Sequence, residues 1–177
     1  MATSTTRLMT FAEFQEIPDP PGGYYELHHG ELIQVAFPDL PHGEIQHRLL
    51  LLLSAAAADS GVVRIEMPYR PEPEHEAWRA DVVYVSKTRW NPQGRCFFGA
   101  PDLVIEVLSP SNRAEDLLEQ KDLCLENGSR EFWVVNGKRR HVEVFTPGGR
   151  TATYKSGQEI PLMFGGSLTV DAIFPQS

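Results

Sequence analysis

The feature that most constrains how this chain can fold is one acidic residue, Glu106, inside an apolar segment predicted to be a strand over residues 103–108. A buried, ionised carboxylate is costly unless a cation, a charged partner or hydrogen bonds compensate, or unless the group takes up a proton. The fold must therefore either supply a group beside Glu106 that offsets its charge or keep the carboxyl protonated.

Length and composition predict a single domain with one hydrophobic core, since the chain has 177 residues of which 41% are hydrophobic. The longest apolar run, residues 49–58, is too short to cross a bilayer, which takes about twenty residues, and no signal-peptide pattern begins the chain. Cys96 and Cys124 have the spacing of neither a disulfide framework nor a metal site. We expect a cytoplasmic protein with reduced cysteines and no membrane partner.

The net charge of −8 argues against strong, nonspecific attraction to nucleic acid, because phosphate contacts normally come from a basic face. It leaves room for a local basic patch, and the one dense basic cluster is Lys138-Arg139-Arg140-His141 at a predicted turn. A solvated turn is the default interpretation. The alternative is that Lys138, Arg139 and Arg140 contact nucleic-acid phosphates.

The first part of the chain predicts a short helix, a hairpin and one long helix. Thr10 begins a capping-box pattern, and prolines soon end that helix. Residues 24–27 and 31–37 predict the two strands of a hairpin. Apolar residues recur at helical spacing from 43 to 60, and Gly61 stands where the end of a helix favours a positive φ.

The remainder predicts strands and one further helix. Strands are expected at 62–67, 81–85, 103–108, 132–135 and 142–145, with further segments near 151–154 and 168–170. The proline-rich segment 68–76 is expected to be a connection. A helix over 114–127 has Ser111 and Asn112 as candidate caps. This order predicts an α/β fold with a mixed central sheet flanked by helices and with additional β-hairpins.

Glu106 needs a partner from a neighbouring strand. Asp102 lies on the same strand, four residues away, which is about 13 Å at the rise of a strand and too far to share a metal ion easily. Asp81 begins the preceding strand, and successive strands often pair. Two close carboxylates repel each other unless a cation lies between them, and Mg²⁺ or Mn²⁺ prefers such oxygen ligands. We therefore predict a Mg²⁺ (or Mn²⁺) site at Asp81 and Glu106.

Lys121 occupies a position on the apolar face of its predicted helix. The inward stripe at helical spacing is Ala114, Leu117, Leu118, Lys121 and Leu125. On spacing alone, the lysine could equally reach solvent from the edge of this stripe. Two carboxylates, a divalent cation and a lysine are what metal-assisted phosphodiester hydrolysis uses, because the metal polarises the phosphate and an ammonium stabilises developing charge.

These residues resemble the signature of the PD-(D/E)XK nuclease superfamily, and the whole chain resembles the Uma-two family of endonucleases. The resemblance is carried by Tyr25-Glu26-Leu27-x-x-Gly30-Glu31-Leu32, His42-Gly43, Ala80-Asp81-Val82, Pro101-Asp102-Leu103-Val104-Ile105-Glu106-Val107-Leu108-Ser109-Pro110, Lys121 and Glu131-Phe132-Trp133-Val134-Val135. Ala80 stands where the superfamily has a proline, and Leu108 stands where its lysine would follow the glutamate. Lys121 would replace that lysine.

The resemblance implies a three-layer, restriction-endonuclease-like fold and a divalent-metal-dependent endonuclease that hydrolyses DNA. Asp81 and Glu106 would ligate the metal, aided by the carbonyl of Val107. Lys121 would activate or position water, and Glu26 could bind metal or orient water. A homodimer is also expected. The single domain, 1–177, would consist of a lead-in over 1–23, a nuclease-like core over 24–145 and a strand extension over 146–177.

Two other functions stay open on the sequence. A noncatalytic nucleic-acid or protein interaction module would keep the fold without cleavage, and the lysine absent from position 108 and the acidic composition favour it. A structural dimer with buried ion pairs at Asp81 and Glu106 would need neither metal nor nucleic acid. His42 could approach phosphate at the start of the long helix, although a structural or solvent-facing role is the simpler interpretation.

Overall fold

A seven-stranded sheet with helices on both faces organises the part of the chain that the structure, a computed structural model, describes: residues 7–91, 96–109 and 114–175. The strands are β1 (Gly23–His28), β2 (Glu31–Ala36), β3 (Gly61–Arg70), β4 (Trp78–Ser86), β5 (Phe97–Phe98), β6 (Leu103–Val107), β7 (Glu131–Asn136), β8 (His141–Thr146), β9 (Arg150–Lys155), β10 (Glu159–Pro161) and β11 (Ser167–Thr169). The helices are α1 (Phe11–Phe14), α2 (Leu40–Ala57), α3 (Ala114–Glu126) and α4 (Val170–Ile173). Among the described residues, no helix combines the length and apolar character needed to span a membrane.

The strands of the large sheet are ordered β5-β3-β4-β6-β7-β8-β9. β6 runs parallel to β7 and β3 runs parallel to β5, whereas the other neighbours are antiparallel. The β1-β2 and β10-β11 hairpins form two smaller sheets. The mixed sheet, the flanking helices and the additional hairpins confirm the fold class predicted from the sequence.

The two faces of the sheet carry separate hydrophobic cores. On one face, α2 packs Ile45, Leu49 and Leu53 against the sheet, and Ile173 of α4 belongs to the same core. On the other face, α3 packs through Cys124. Helix, sheet and helix therefore form three layers, and residues of the predicted C-terminal extension complete the first core.

The β1-β2 hairpin docks at the beginning of β4. Leu27 exchanges backbone hydrogen bonds of 2.8 and 2.9 Å with Ala77, and the Leu27 side chain is fully buried. α1 precedes this hairpin and has the capping box predicted at Thr10. The docking brings Glu26, the neighbour of Leu27, to the end of the sheet where β4 begins.

Two details of secondary structure correct the sequence prediction. β3 continues to Arg70, so Pro68 lies in a strand and not in a connection. A proline is tolerated there because β5 pairs only with the two residues that follow it. Gly61 begins β3, where a Cβ would lie 2.3 Å from the Val85 carbonyl oxygen. α2 ends instead at Ala57 and is capped by Ala58, whose φ is 45°. The candidate caps Ser111 and Asn112 lie outside the described residues.

Candidate active site

Three carboxylates stand in one row across the adjacent strands β3, β4 and β6. The register of β4 with β6 pairs Val82 with Ile105, so the next residue, Asp81, stands opposite Glu106. The register of β4 with β3 continues on both sides of Asp81 and places Glu66 opposite it. Neighbouring strands lie about 5 Å apart. The structure therefore brings Asp81 and Glu106 together and adds a third acid that the sequence analysis did not select.

An open cavity of about 470 Å³ lies at this end of the sheet and is lined by all three carboxylates and by Glu26 of β1. Glu26 Oε1 accepts a 2.7 Å hydrogen bond from the backbone N–H of Arg79, and its Oε2 lies 2.7 Å from His28 Nε2. Glu26 and Glu106 are each only 8% exposed. The hairpin thus places Glu26 with the predicted pair.

Polar groups of α2 and β6 hold Asp81 in place. Gln46 donates from Nε2 to Asp81 Oδ1 at 2.8 Å and to Glu66 Oε1 at 2.5 Å. His42 Nε2 lies 2.9 Å from the same Asp81 oxygen. The backbone N–H of Val107 donates to Asp81 Oδ2 at 2.6 Å. Both oxygens of Asp81 therefore have partners, from the helix on one side and from the neighbouring strand on the other.

The backbone of Glu66 is unusual for a residue within a strand. Its φ is 49°, in the left-handed region, and the pairing of β3 with β4 is interrupted at this residue. Residues other than glycine adopt this conformation at a cost, and such residues concentrate at functional sites. The interruption occurs where Glu66 joins the row of acids.

Burial and mutual repulsion shift the pKa values of these acids. Burial raises the pKa of Glu106 well above its ordinary value, and the charges of Asp81 and Glu26 raise it further. Burial also raises the pKa of Glu66, against the opposing effect of the hydrogen bond from Gln46. The site therefore carries an excess of negative charge that a cation would offset.

The pKa of His42 shifts in the direction that favours its cationic form. Burial by itself lowers the pKa of His42, but the hydrogen bond and the charge of Asp81 outweigh it and raise that pKa above its ordinary value of 6.5. The Nδ1 atom of His42 is buried without a hydrogen-bond partner among the described residues. The structure thus places His42 in the site, where the sequence analysis favoured a structural or solvent-facing role.

α3 presents Gln120 to the site. Gln120 Nε2 donates to Glu106 Oε1 at 2.7 Å and to the Tyr69 hydroxyl at 3.1 Å. The Tyr69 hydroxyl lies 3.3 Å from the Sγ of Cys124. Burial raises the pKa of the Cys124 thiol to about 12 and that of Tyr69 well above its ordinary value. This network is therefore neutral near pH 7 and fixes the Gln120 amide against Glu106.

Lys121 does not lie with the carboxylates, so its predicted position facing them is wrong. Its Nζ lies 2.8 Å from Asp122 Oδ1 and 5.3 Å from the centre of the Phe145 ring, beside a separate cavity. The predicted inward stripe is displaced around the helix, because Leu118 is 51% exposed while Gln120 is buried. One residue turns a helix by about 100°, and the hydrogen bonds of Gln120 compensate for its burial.

The described residues include oxygen donors suited to a divalent cation, but they do not supply a full set of ligands. Among them, no three histidine, cysteine, aspartate or glutamate side chains are arranged to hold a metal ion. Asp81 and Glu106 supply the hard carboxylate oxygens that Mg²⁺ and Mn²⁺ prefer, and Mg²⁺ ordinarily keeps several water ligands. Repulsion from Asp81 also raises the pKa of Glu106. The donor set therefore fits a hard divalent cation with two protein carboxylates.

The predicted nucleic-acid-binding residues lie outside this cavity. Lys138 and Arg139 are exposed in the turn after β7. Arg140 is half-buried and donates from Nη1 to the carbonyl oxygen of Pro175 at 3.0 Å. The structure does not place these three residues around the row of acids.

The sequence analysis missed Gln46, Glu66 and Gln120 of this site, and also Arg79, which lines the cavity. Gln46 precedes Leu49 by three residues and Leu53 by seven, so its position on the inward face of α2 could have been found from helical spacing. Gln120 follows Leu117 by three residues and precedes Cys124 by four, which is also helical spacing, but a competing leucine-rich stripe obscured it. Glu66 gave no periodic signal, because its interrupted strand pairing is not encoded by a pattern of apolar residues.

Comparisons with known proteins identify a family. A family model described as "Uma2: Putative restriction endonuclease" matches residues 11–176. The crystal structure titled as a "putative nuclease belonging to DUF820" from Anabaena variabilis ATCC 29413 superposes with a TM-score of 0.84 at 20% sequence identity, covering 94% of this chain and 97% of that chain, and so shows the same fold. No curated protein matches the chain. Because the family model spans nearly the whole sequence, the chain belongs to the Uma2 family.

Proposed function

We propose that this protein is a divalent-metal-dependent endonuclease that hydrolyses phosphodiester bonds of DNA at the cavity containing Asp81 and Glu106. Membership of a family described as restriction endonucleases supports a nuclease function. The observation that carries the proposal is the row of Glu66, Asp81 and Glu106 across three strands, lining one cavity. Buried acids with raised pKa values in a cavity are typical of functional sites.

In this proposal Asp81 and Glu106 would hold Mg²⁺ or Mn²⁺, with the carbonyl oxygen of Val107 as a third protein ligand. When bound, the cation supplies Lewis acidity at the scissile phosphate. Glu26, from the docked hairpin, would accept a hydrogen bond from the attacking water and orient it. His42 would hold a proton on Nε2 toward Asp81 Oδ1, 2.9 Å away.

Arg79 is the one lysine or arginine side chain that lines this cavity among the described residues. Its guanidinium carbon lies 4.0 Å from the centre of the Tyr24 ring, and its charge partly opposes the burial that raises the pKa of Glu66. A guanidinium stacked in this way is held in position and can stabilise negative charge on a phosphate. We therefore assign the electrostatic role at the phosphate to Arg79 and not to Lys121.

Glu106→Gln is the sharpest test of the site, because the amide keeps the size of the side chain and can still accept a hydrogen bond from Gln120. The matched control is Glu131→Gln. Glu131 is also a strand glutamate with a pKa raised by burial, it accepts a 2.8 Å hydrogen bond from Trp133 Nε1, and it lies at the opposite end of the sheet.

We expect wild type and Glu131→Gln to nick and linearise supercoiled plasmid in Mn²⁺ or Mg²⁺, and Glu106→Gln to lose this activity. Calorimetric titration with Mn²⁺ gives an independent readout: heat of binding is expected in the first two proteins and not in Glu106→Gln. Undiminished cleavage by folded Glu106→Gln would exclude this site.

A second candidate function, a noncatalytic nucleic-acid-binding module, is favoured by one observation. The side chain that contacts Glu106 from α3 is the neutral Gln120, while the ammonium of Lys121 lies against Asp122. Wild type that binds DNA in EDTA yet cleaves neither DNA nor RNA with Mg²⁺ or Mn²⁺ would establish this function in place of the first.

The expected homodimer is also part of the proposal. In the described part of the chain, β9 is the last strand of the large sheet, so its outer edge is available for pairing. Light scattering on the purified chain would test this, since a dimer contains two copies of 19.9 kDa. A single-copy mass at micromolar concentration would remove the dimer from the proposal.

A further inference from the structure

We propose that Lys138, Arg139, Arg140 and Lys155, here called the basic rim, bind the sugar-phosphate backbone of the nucleic acid whose scissile bond enters the carboxylate cavity. The inference rests on the proposed nuclease function for the identity of its ligand. It adds a second contact region, which positions the substrate and takes no part in hydrolysis.

The basic rim lies at the same end of the sheet as Glu106. β6 and β7 are parallel, with Glu106 opposite Val134, and the turn that carries most of the rim follows the end of β7. His141 at the start of β8 pairs with Lys155 at the end of β9. β8 and β9 are two and three strands from β6, about 10 to 15 Å. A DNA strand advances about 3.4 Å per phosphate, so the rim would lie about three to four nucleotides from the acids.

Among the described residues, three of the four cations of the basic rim have no acidic partner, whereas the charge of Arg140 contributes to lowering the pKa of Asp171. Lys138, Arg139 and Lys155 are exposed, and none of them forms an ion pair within the described part of the chain. Four cations elsewhere do pair with carboxylates: Arg7, Arg48, Arg89 and Lys121. His141 is excluded from the rim because its Nε2 lies 3.9 Å from Glu143 Oε1.

A separate open cavity of about 560 Å³ lies between the turn and β9. Its lining consists of Arg139, Arg140, His141, Lys155 and Ser156, without an acidic residue. Phosphate oxygens accept hydrogen bonds from arginine and lysine side chains, whereas the Ser156 hydroxyl already donates to Asp171 Oδ1 at 2.7 Å. A backbone phosphate therefore fits the chemistry of this cavity.

The turn is held in a fixed conformation, which lowers the entropy lost on binding. The backbone N–H of Arg139 donates to Asn136 Oδ1 at 2.9 Å. Arg140 has a left-handed backbone, with φ 50°. Its guanidinium is anchored by Pro175 and lies 5.1 Å from the centre of the Phe174 ring. An arginine has five N–H donors, so the bond to Pro175 leaves others for phosphate.

The test compares two double variants that remove the same charges from opposite ends of the sheet. Lys138→Ala/Arg139→Ala alters the basic rim. Lys87→Ala/Arg130→Ala is the matched control, because Lys87 follows β4 and Arg130 precedes β7, both exposed and at the far end from Glu106. Thermal melts of all the proteins establish that each variant is folded.

Binding of a fluorescein-labelled duplex of random sequence is measured in EDTA, so that no cleavage is possible. We expect the rim variant to bind about tenfold more weakly. The slope of log K against log salt should become less negative by about 2, because two phosphate contacts are lost. The control variant should bind within twofold of wild type. Equal weakening in both variants, no change in the rim variant, or no measurable binding by wild type would each overturn the inference.

The outcomes separate this inference from the proposed function. Wild type that binds through the rim but does not cleave would refute the nuclease and leave the rim intact. Cleavage by wild type together with full binding by the rim variant would refute the rim alone.

Discussion

Gln120 donates a 2.7 Å hydrogen bond to Glu106 and so has the place in the site that the sequence analysis expected for its neighbour on α3, Lys121. An amide orients the carboxylate but brings no charge. An ammonium at the same place would lower the pKa of Glu106 and stabilise negative charge that develops on a phosphate. The identity of this one side chain therefore decides how negative the site is before any cation binds.

Gln120→Lys should increase Mn²⁺-supported plasmid cleavage by about tenfold or more, because it places a positive charge beside Glu106 in a partly dry cavity. Single-turnover rates with excess enzyme measure the effect directly. The substitution removes the hydrogen bond that Tyr69 accepts from Gln120, so circular dichroism is needed to show that the variant is folded. A folded variant with an unchanged or lower rate would contradict the assigned role of position 120.

Lys121→Met should leave cleavage and duplex binding unchanged, because the Lys121 ammonium contacts Asp122 and Phe145 and not the acids. The variant should lose only about 0.5 to 1 kcal/mol of unfolding free energy, from one cation–π contact and one ion pair to an exposed carboxylate. Urea unfolding measures this difference. A large loss of cleavage without a loss of stability would restore Lys121 to the site.

The large elements were predictable because their signals are periodic and local. Enrichment in β-branched residues identified the strands at 62–67, 81–85 and 103–108, and alternation identified those at 132–135 and 142–145. The order of strands in the chain was enough to pair Asp81 with Glu106, as the register of β4 with β6 now places them. The capping box at Thr10 was likewise a local pattern. These predictions needed no knowledge of distant contacts.

The wrong predictions concern features that depend on the rotation of a helix about its axis or on contacts between residues far apart in the sequence. Two stripes on α3 fit helical spacing equally well, one through Lys121 and one through Gln120, and leucines favoured the wrong one. On the observed inward face, Gln120 donates to Glu106 and to Tyr69, and Tyr69 lies far away in the sequence. The role of Glu66 depends on its left-handed backbone, which no apolar pattern encodes.

Glu106 should make the metal-free protein less stable as pH rises. Its pKa is raised in the folded state from an ordinary value of 4.5, so the folded protein binds more protons than the unfolded chain at pH values between 4.5 and the raised pKa. The free energy of unfolding therefore falls as pH rises through this window. Below pH 4.5 the carboxyl is protonated in both states and the penalty is absent.

Glu106→Gln should remove this contribution, so in EDTA its stability relative to wild type should grow from pH 4 to pH 8 and favour the variant at pH 8. Urea titrations across this range measure the difference, and Glu16→Gln, an exposed glutamate, is the control. A variant that is less stable than wild type at pH 8 would show that ionised Glu106 is already compensated in the metal-free protein.

Ala58→Gly should stabilise the protein, because the end of α2 holds an alanine at φ 45° and ψ −116°. This combination is close to the first central position of a type II′ turn, where glycine is favoured and a Cβ is strained. We expect the free energy of unfolding to rise by about 0.5 to 1 kcal/mol. This is a net gain, because the relief of strain exceeds the cost of the larger chain entropy of glycine in the unfolded state. The matched control is Ala56→Gly, an exposed site inside α2, where the same change should destabilise by about 1 kcal/mol. Destabilisation of similar size at both positions would mean that Ala58 is not strained, and that α2 continues toward Gly61 as the sequence alone predicts.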